Sequence, residues 1–436
     1  MNKLALILYL ILLMPLEKIH SQEIRTISKN EVFELVAKNN ASIKISEQEY
    51  YQAKADYRQT NGVLLPYISV SHTGIATTNP LMAFGSKLNQ EILTNSDFDP
   101  ILLNNPNQIK NFATKIEVLQ PIINMDGIYQ RRAAKNKMEA QEFQIERTKD
   151  YMAFEVEKAY MQLQLSYKAV DVLNKALEAA LANRSLAENS FKQGFLQKTD
   201  VLAVEVRVTE VQNQLQNAKS NIKNSSEYLS FLINNTDLVQ YKPTDSLAIS
   251  VLAIKESSMV SEQRADIKAM KLASNAYQTM HKADKLAFLP NLNAFGSYEL
   301  YDNKIFQTDA SGYLIGAQLS WNIFEGSKRF GKIQKSKAEY EKSRLQYEQY
   351  ISQSNLEFNK AKRMLFDAEN KLKLTKLALD QSKESMRIRT NRFKQGLEKT
   401  SDLLIVETQY SQKQLEYYQT IFEYNYAQSY LNFLMK

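Results

Sequence analysis

The chain has 436 residues, a formal net charge of +7 and no cysteine. Its 11 glycines and 8 prolines fall well below the average usage of roughly 7% and 5%, while 44% of the residues are hydrophobic and 10% aromatic. This excludes disorder and disulfides; the positive charge is spread along the chain with no compact basic patch, so no nucleic-acid partner is expected.

The chain opens "MNKLALILYLILLMPLEKIHSQE". A lysine precedes an apolar run from Leu4 to Leu13, and a run of about 10 residues is too short to span a bilayer but fits the core of a signal peptide. A signal peptide over 1–21 is therefore expected, with cleavage near Ser21–Gln22, although Ile19 fits the small-residue rule poorly. A retained anchor is the alternative. Beyond it no window offers the about 18 apolar residues of a transmembrane helix. The exported protein is then soluble, or it is a β-barrel in an outer membrane.

After a helix over 30–60, glycine and proline cluster in 62–127, and again in 290–331. Both windows read as strand pairs. In "LPYISVSHTGIA" Ile68, Val70, His72 and Gly74 alternate with Tyr67, Ser69, Ser71 and Thr73; "FATKIEVLQPI", "PNLNAFGSYEL" and "YLIGAQLSWNI" alternate in the same way. Strands of about 9–11 residues with one apolar and one polar face suit a membrane barrel with a wet interior. A half-buried soluble sheet gives the same alternation. Four strands cannot enclose a wide pore, so a barrel requires several chains.

Between these windows the chain lacks glycine and proline over long stretches, as from Lys332 to Gln395. A 60-residue helix would be about 90 Å long. Ile351, Phe358, Leu365, Leu372, Leu379, Met386 and Phe393 recur every seventh residue, with Ala361, Ala368, Thr375 and Ser382 beside them. That is a coiled-coil seam. Met152, Val156, Tyr160, Leu163, Tyr167, Val170 and Leu173 form a similar stripe earlier. Both are packing surfaces.

The order then repeats. "SFKQGFLQKTDVLAVE" at 190–205 returns as "RFKQGLEKTSDLLIVE" at 392–407, and "LLPYISVSHTG" is echoed by "FLPNLNAFGSY". Two copies of one supersecondary unit are expected. The first is 22–235, with strand pair 64–124 and a hairpin tip at 191–200; the second is 263–436, with strand pair 290–323 and a tip at 393–402. The segment 236–262 reads as a loop-rich linker.

On these motifs, together with "QPIINMDG", "RADIKAMKLASNAYQTMHKADKLAFLPNL" and "LSWNIFEG", the chain resembles the TolC-like outer-membrane efflux proteins over nearly all of the mature sequence. The resemblance implies a mainly α fold with a membrane β-barrel. In it, a homotrimer shares a twelve-strand barrel in the outer-membrane lipid, and long helical hairpins form a periplasmic α-barrel. The implied function is a passive gated exit channel in the outer membrane of a Gram-negative bacterium, serving tripartite efflux or type I secretion with a periplasmic adaptor and an inner-membrane pump. The stretch 77–111 becomes a long extracellular loop. An exported coiled-coil scaffold without a pore is the alternative.

No catalytic constellation is found, and no enzyme activity, metal or cofactor is expected: the three histidines lack metal-ligand spacing, and no nucleotide loop or nucleophile elbow is present. Asp126 and Glu325 read as caps or dipole partners of the helices they precede. Gly194 and Gly396 read as left-handed residues ending one helix, with Thr199–Asp200 and Ser401–Asp402 capping the next. The resemblance adds roles at these turns. Gly194, Phe195, Gly396 and Leu397 match adaptor-docking tips. Thr199 and Asp200 match gate-bond positions, and Asp402 matches an aspartate ring at the pore entrance. Phe393 stands where a gate tyrosine is expected, Glu398 where an arginine is expected, and Ile405 where a second aspartate is expected, so the closed state is held differently here.

Overall fold

A computed structural model describes residues 23–237, 239–250 and 259–436; the expected signal peptide lies outside them. In chain order the elements are β1 (Glu23–Ile27), α1 (Lys29–Asn39), α2 (Ala41–Gln59), β2 (Tyr67–Thr77), α3 (Pro80–Asn89), α4 (Pro100–Asn104), β3 (Ile109–Ile123), α5 (Met125–Lys192), α6 (Lys198–Ile233), β4 (Val239–Pro243), α7 (Ala265–Leu286), β5 (Asn291–Asp302), β6 (Ala310–Ser320), α8 (Lys328–Lys394) and α9 (Thr400–Met435). The fold is mainly helical. With 68 and 67 residues, α5 and α8 each run about 100 Å.

The chain divides into two units. The first takes the described parts of Met1–Glu47, Ile145–Arg264 and Ile351–Lys436. Its core is the stripe Met152, Val156, Tyr160 and Leu163 of α5, closed by Val32 and Val36 of α1 and by Ile222 and Leu229 of α6. The linker contributes a strand that the sequence reading missed: β4 pairs in parallel with β1, from Glu23 opposite Val239 to Ile27 opposite Pro243. Tyr160 ties this patch to the helix, donating to Asp245 Oδ1 at 2.5 Å; burial and that carboxylate push its phenol up to about 12. On α8 the heptad seam faces inward: Phe358, Ala361, Ala368, Leu372 and Thr375 are buried, Phe358 and Ala361 against Leu431 and Leu434 of α9.

The second unit comprises Gln48–Gln144 and Ala265–Tyr350. Here β2, β3, β5 and β6 form one antiparallel sheet in that order. Through the middle of the sheet the register keeps like faces together across all four strands, and it shifts only between Pro121 and Ile123. Val70 lies opposite Ile116, Ile116 opposite Tyr298, and Tyr298 opposite Tyr313; on the other face Ser71 lies opposite Lys115, Lys115 opposite Glu299, and Glu299 opposite Gly312. Lys115 Nζ is 3.5 Å from Glu299 and 3.7 Å from Glu117 on the polar face. The apolar face is bare: Val70, Tyr313 and Ile315 are 68%, 79% and 77% exposed. Within the described chain nothing pairs with the outer edges of β2 and β6.

Two capping expectations need correction. Asn124, not Asp126, caps α5, its Oδ1 accepting from Gly127 N–H at 2.9 Å; Asp126 lies in the first turn, where the helix dipole still favours it. Glu325 instead pairs with Arg329 at 3.3 Å. The stretch 77–111 also carries structure the sequence reading did not place, the helices α3 and α4.

Candidate functional site

Each long helix ends in the same backbone device. At the first turn Gly194 has φ +78°, and at the second Gly396 has φ +73°. Gly194 N–H donates to Phe191 O and Phe195 N–H to Ser190 O, both at 2.9 Å; Gly396 N–H donates to Phe393 O at 2.9 Å and Leu397 N–H to Arg392 O at 3.0 Å. This Schellman pattern satisfies the last carbonyls of α5 and α8 and needs a left-handed residue. A Cβ on either glycine would meet no atom within 4 Å, so only the backbone opposes a side chain. Gly194→Ala or Gly396→Ala is expected to cost about 1–2 kcal/mol, read as a lower urea midpoint of the helical signal. The residues after the glycines project: Phe195 is 78% and Leu397 62% exposed.

Beyond the glycines the two turns differ. At the first, Asp200 Oδ2 accepts from Gln197 N–H at 3.1 Å, a helix-starting bond, and Thr199 lies exposed in the first turn of α6. At the second, Lys399 occupies the cap position with no side-chain cap bond, so the expected capping by Ser401–Asp402 is absent. The carboxylates turn to the preceding helix instead. Arg389 Nη1 is 2.8 Å from Glu398 Oε1 and 3.7 Å from Asp402 Oδ2, and Arg392 Nε is 2.9 Å from Glu398 Oε2. Arg392 Nη2 also reaches Leu397 O at 3.3 Å. Glu398, in place of an expected arginine, thus joins an ion-pair clasp of opposite polarity within one hairpin. The sequence reading missed Arg389 and Arg392. The clue was two arginines three residues apart, one helical turn before a Gly–Leu–Glu reversal. Phe393 is half-buried and Ile405 is exposed.

Farther from the turns, a buried polar cluster joins the two hairpins. Asn183 of α5 donates to Glu407 Oε2 of α9 at 2.7 Å, and Arg207 of α6 donates to Ser411 Oγ of α9 at 3.2 Å. Arg207 is 5% and Glu407 2% exposed. Burial pushes the Glu407 carboxyl up, against the opposing pull of Asn183 and Arg207. Arg207 Nε and Glu407 Oε1 have no hydrogen-bond partner among the described residues.

Among the described residues no group of three or more His, Asp or Glu is placed to hold a metal ion, and no helix is long and apolar enough to cross a membrane. Residues 32–235 and 257–433 match the model of the outer membrane efflux protein family. Solved structures share the fold. The CusC channel superposes with a TM-score of 0.80 at 14% identity, over 93% of this chain and 91% of that one. The Campylobacter jejuni CmeC outer membrane channel gives 0.79 at 17% identity, over 93% and 85%, and the Vibrio cholerae outer membrane protein VceC 0.78 at 14%, over 93% and 95%. No curated protein sequence matches the chain.

Proposed function

The chain belongs to the outer membrane efflux protein family, and from that premise we propose that it is the outer-membrane exit duct of a tripartite efflux or type I secretion assembly. Three copies join the open edges of β2 and β6 into a twelve-strand barrel in the outer membrane, and the helical hairpins form the periplasmic passage. The observation that carries this reading is the sheet itself. Through its middle, one face carries Ile68, Val70, Ile116, Val118, Tyr298, Tyr313 and Ile315 and the other Ser69, Ser71, Lys115, Glu117, Ser297 and Glu299, while both outer edges stand unpaired among the described residues. Free edges of 11 residues are a liability in water, and closure in lipid satisfies every backbone group. Exposed Tyr67, Trp321 and Phe324 border the sheet at its helical end, where barrels carry an aromatic girdle.

The glycine turns are the periplasmic tips. Phe195 and Leu397 dock the adaptor; Thr199, Asp200, Phe393, Glu398 and Asp402 form the pore entrance. The duct is passive, and an inner-membrane pump supplies the energy. Fractionation tests this. The protein is expected to stay with the outer membrane at high pH and high salt, to need detergent, and to run as an SDS-resistant trimer that dissociates on heating. Release by alkaline wash without detergent would identify the pore-free scaffold instead.

A further inference from the structure

The strand-to-strand connection after β2 runs from 78 to 108, whereas the one after β5 spans only 303–309. Both lie at the same end of the sheet, since Thr77 pairs with Ile109 and Tyr301 with Ala310. The longer one is a folded segment. Asn79 and Asp99 cap helices that each begin with proline. Lys87 pairs with Asp97 at 2.6 Å; that ammonium and the Thr94 backbone N–H hold the Asp97 carboxyl down to about 2, so the bond persists at any pH a cell meets. Phe84 packs edge-on against Phe98 at 5.7 Å.

This segment docks on one face of the sheet. Helix α3 packs against β3 and also against β6, although β5 lies between them. Gln90 Nε2 donates to Asn111 Oδ1 at 2.7 Å and to Lys110 O at 2.9 Å. Ala83, Ser86 and Gln90, one face of α3 and its cap, are buried, and so are Asn111 and Ala310. In the register Asn111 and Ala310 belong to the row of Lys115, Glu117 and Glu299, the polar face. The far side of the segment is apolar and uncovered: Leu81 is 81%, Ile101 76% and Phe98 59% exposed.

We infer that Pro80–Asn104 is a lid over the outer mouth of the barrel, closed by the same segment of the other two copies. The inference rests on the barrel reading above. If the polar face lines the lumen, a segment folded over that face at the end away from the long helices lies across the opening. Its uncovered side then points to the three-fold axis, where the two other copies present the same leucine, isoleucine and phenylalanine. The strand edges that join the copies run up to this segment, so the contact continues the barrel interface. The channel would then have a second constriction besides the one proposed at the glycine tips.

The chain lacks cysteine, which makes thiol probes clean. In outer membranes holding the full-length trimer, Ser71→Cys on the polar row and Val70→Cys on the apolar row are labelled from outside with a small charged methanethiosulfonate and with a bulky polyethylene-glycol maleimide. The small reagent is expected to modify only the Ser71→Cys variant; if it modifies neither or both alike, the barrel reading fails and the lid with it. The bulky reagent is expected to react on the order of tenfold faster at Ser71→Cys once residues 79–107 are replaced by a short Gly-Ser turn. Thr77 and Ile109 are already paired, so a tight hairpin closes that gap. Gln90→Ala, which removes both bonds to β3, is expected to act in the same direction. Equal bulky labelling with and without the segment overturns the lid and leaves the barrel standing. Ile101→Cys is expected to form disulfide-linked protomers on mild oxidation. An intact trimer that does not cross-link there overturns closure by neighbouring copies.

Discussion

Arg389→Gln is expected to make the channel about tenfold more sensitive to block by a trivalent cation such as hexaamminecobalt, with almost no loss of stability. The two effects separate because of where the clasp lies. The Arg389 and Asp402 side chains are 41% and 39% exposed, and partly solvated ion pairs contribute about 0–1 kcal/mol each. Their electrostatic effect on a pore mouth is larger, since in a trimer each substitution removes three positive charges from one ring. In the native tip Asp402 shares Arg389 with Glu398, while Arg392 holds Glu398 from the other side. On the proposed reading, the native aspartate ring is therefore largely compensated and binds multivalent cations weakly. Without Arg389, Glu398 keeps Arg392 and Asp402 has no cation. Single-channel conductance with added trivalent cation reads the change, and added salt should weaken it through screening. Arg389→Gln combined with Asp402→Asn should return to native block. If Arg389→Gln and native channels block alike, Asp402 does not face the entrance.

The contrast between the two tips shows what kinds of feature the sequence exposes. The strands were legible because alternation is local: Ile68, Val70 and His72 reveal a face without any partner in view. The long helices were legible because glycine and proline are missing, and the turns because Gly194 and Gly396 interrupt an otherwise unbroken pattern. Side-chain partnerships across a turn were not, since sequence spacing cannot say whether Asp402 bonds its own helix start or reaches back to Arg389. The first tip takes one solution and the second the other, from nearly the same letters. Strand β4 was hidden because "VQYKP" is short, ends in proline, and pairs in parallel with β1, a strand far earlier in the chain, as parallel strands must be joined by a long crossover. The helices α3 and α4 do carry a sequence signal, since Asn79–Pro80 and Asp99–Pro100 are cap-plus-proline helix starts, set within a stretch otherwise rich in asparagine, proline and aspartate. The buried Asn183–Glu407 contact had no sequence signal, since each residue alone reads as one more polar position on a long helix.

That buried cluster carries the largest expected stability effect. Arg207→Met is expected to destabilise the helical part by about 3 kcal/mol at neutral pH, because it removes the cation whose charge opposes the burial of the Glu407 carboxylate. Arg207 and Glu407 are almost fully enclosed, so solvent cannot substitute for either. The pH dependence fixes the cause. Burial raises the Glu407 carboxyl above its usual value of 4.5, and Arg207 opposes that rise. A carboxyl with a raised folded pKa favours folding fully only below its unfolded pKa, and that contribution is lost as pH rises through the folded value. Removing Arg207 raises the folded value further, so the penalty should be greatest at neutral pH and shrink as pH falls toward 4.5. A simple packing defect would cost the same at both. Arg207→Met with Glu407→Leu should recover most of the loss, since no buried carboxylate is then left without a compensating charge. Urea unfolding of the protein, followed by helical circular dichroism across this pH range, measures all three. Because Asn183 and Arg207 belong to the first hairpin and Glu407 and Ser411 to the second, the same bonds resist relative movement of the hairpins. The double variant, stable but without the polar tie, should therefore open more readily than the native channel, whereas unchanged open probability would show that the cluster serves folding alone.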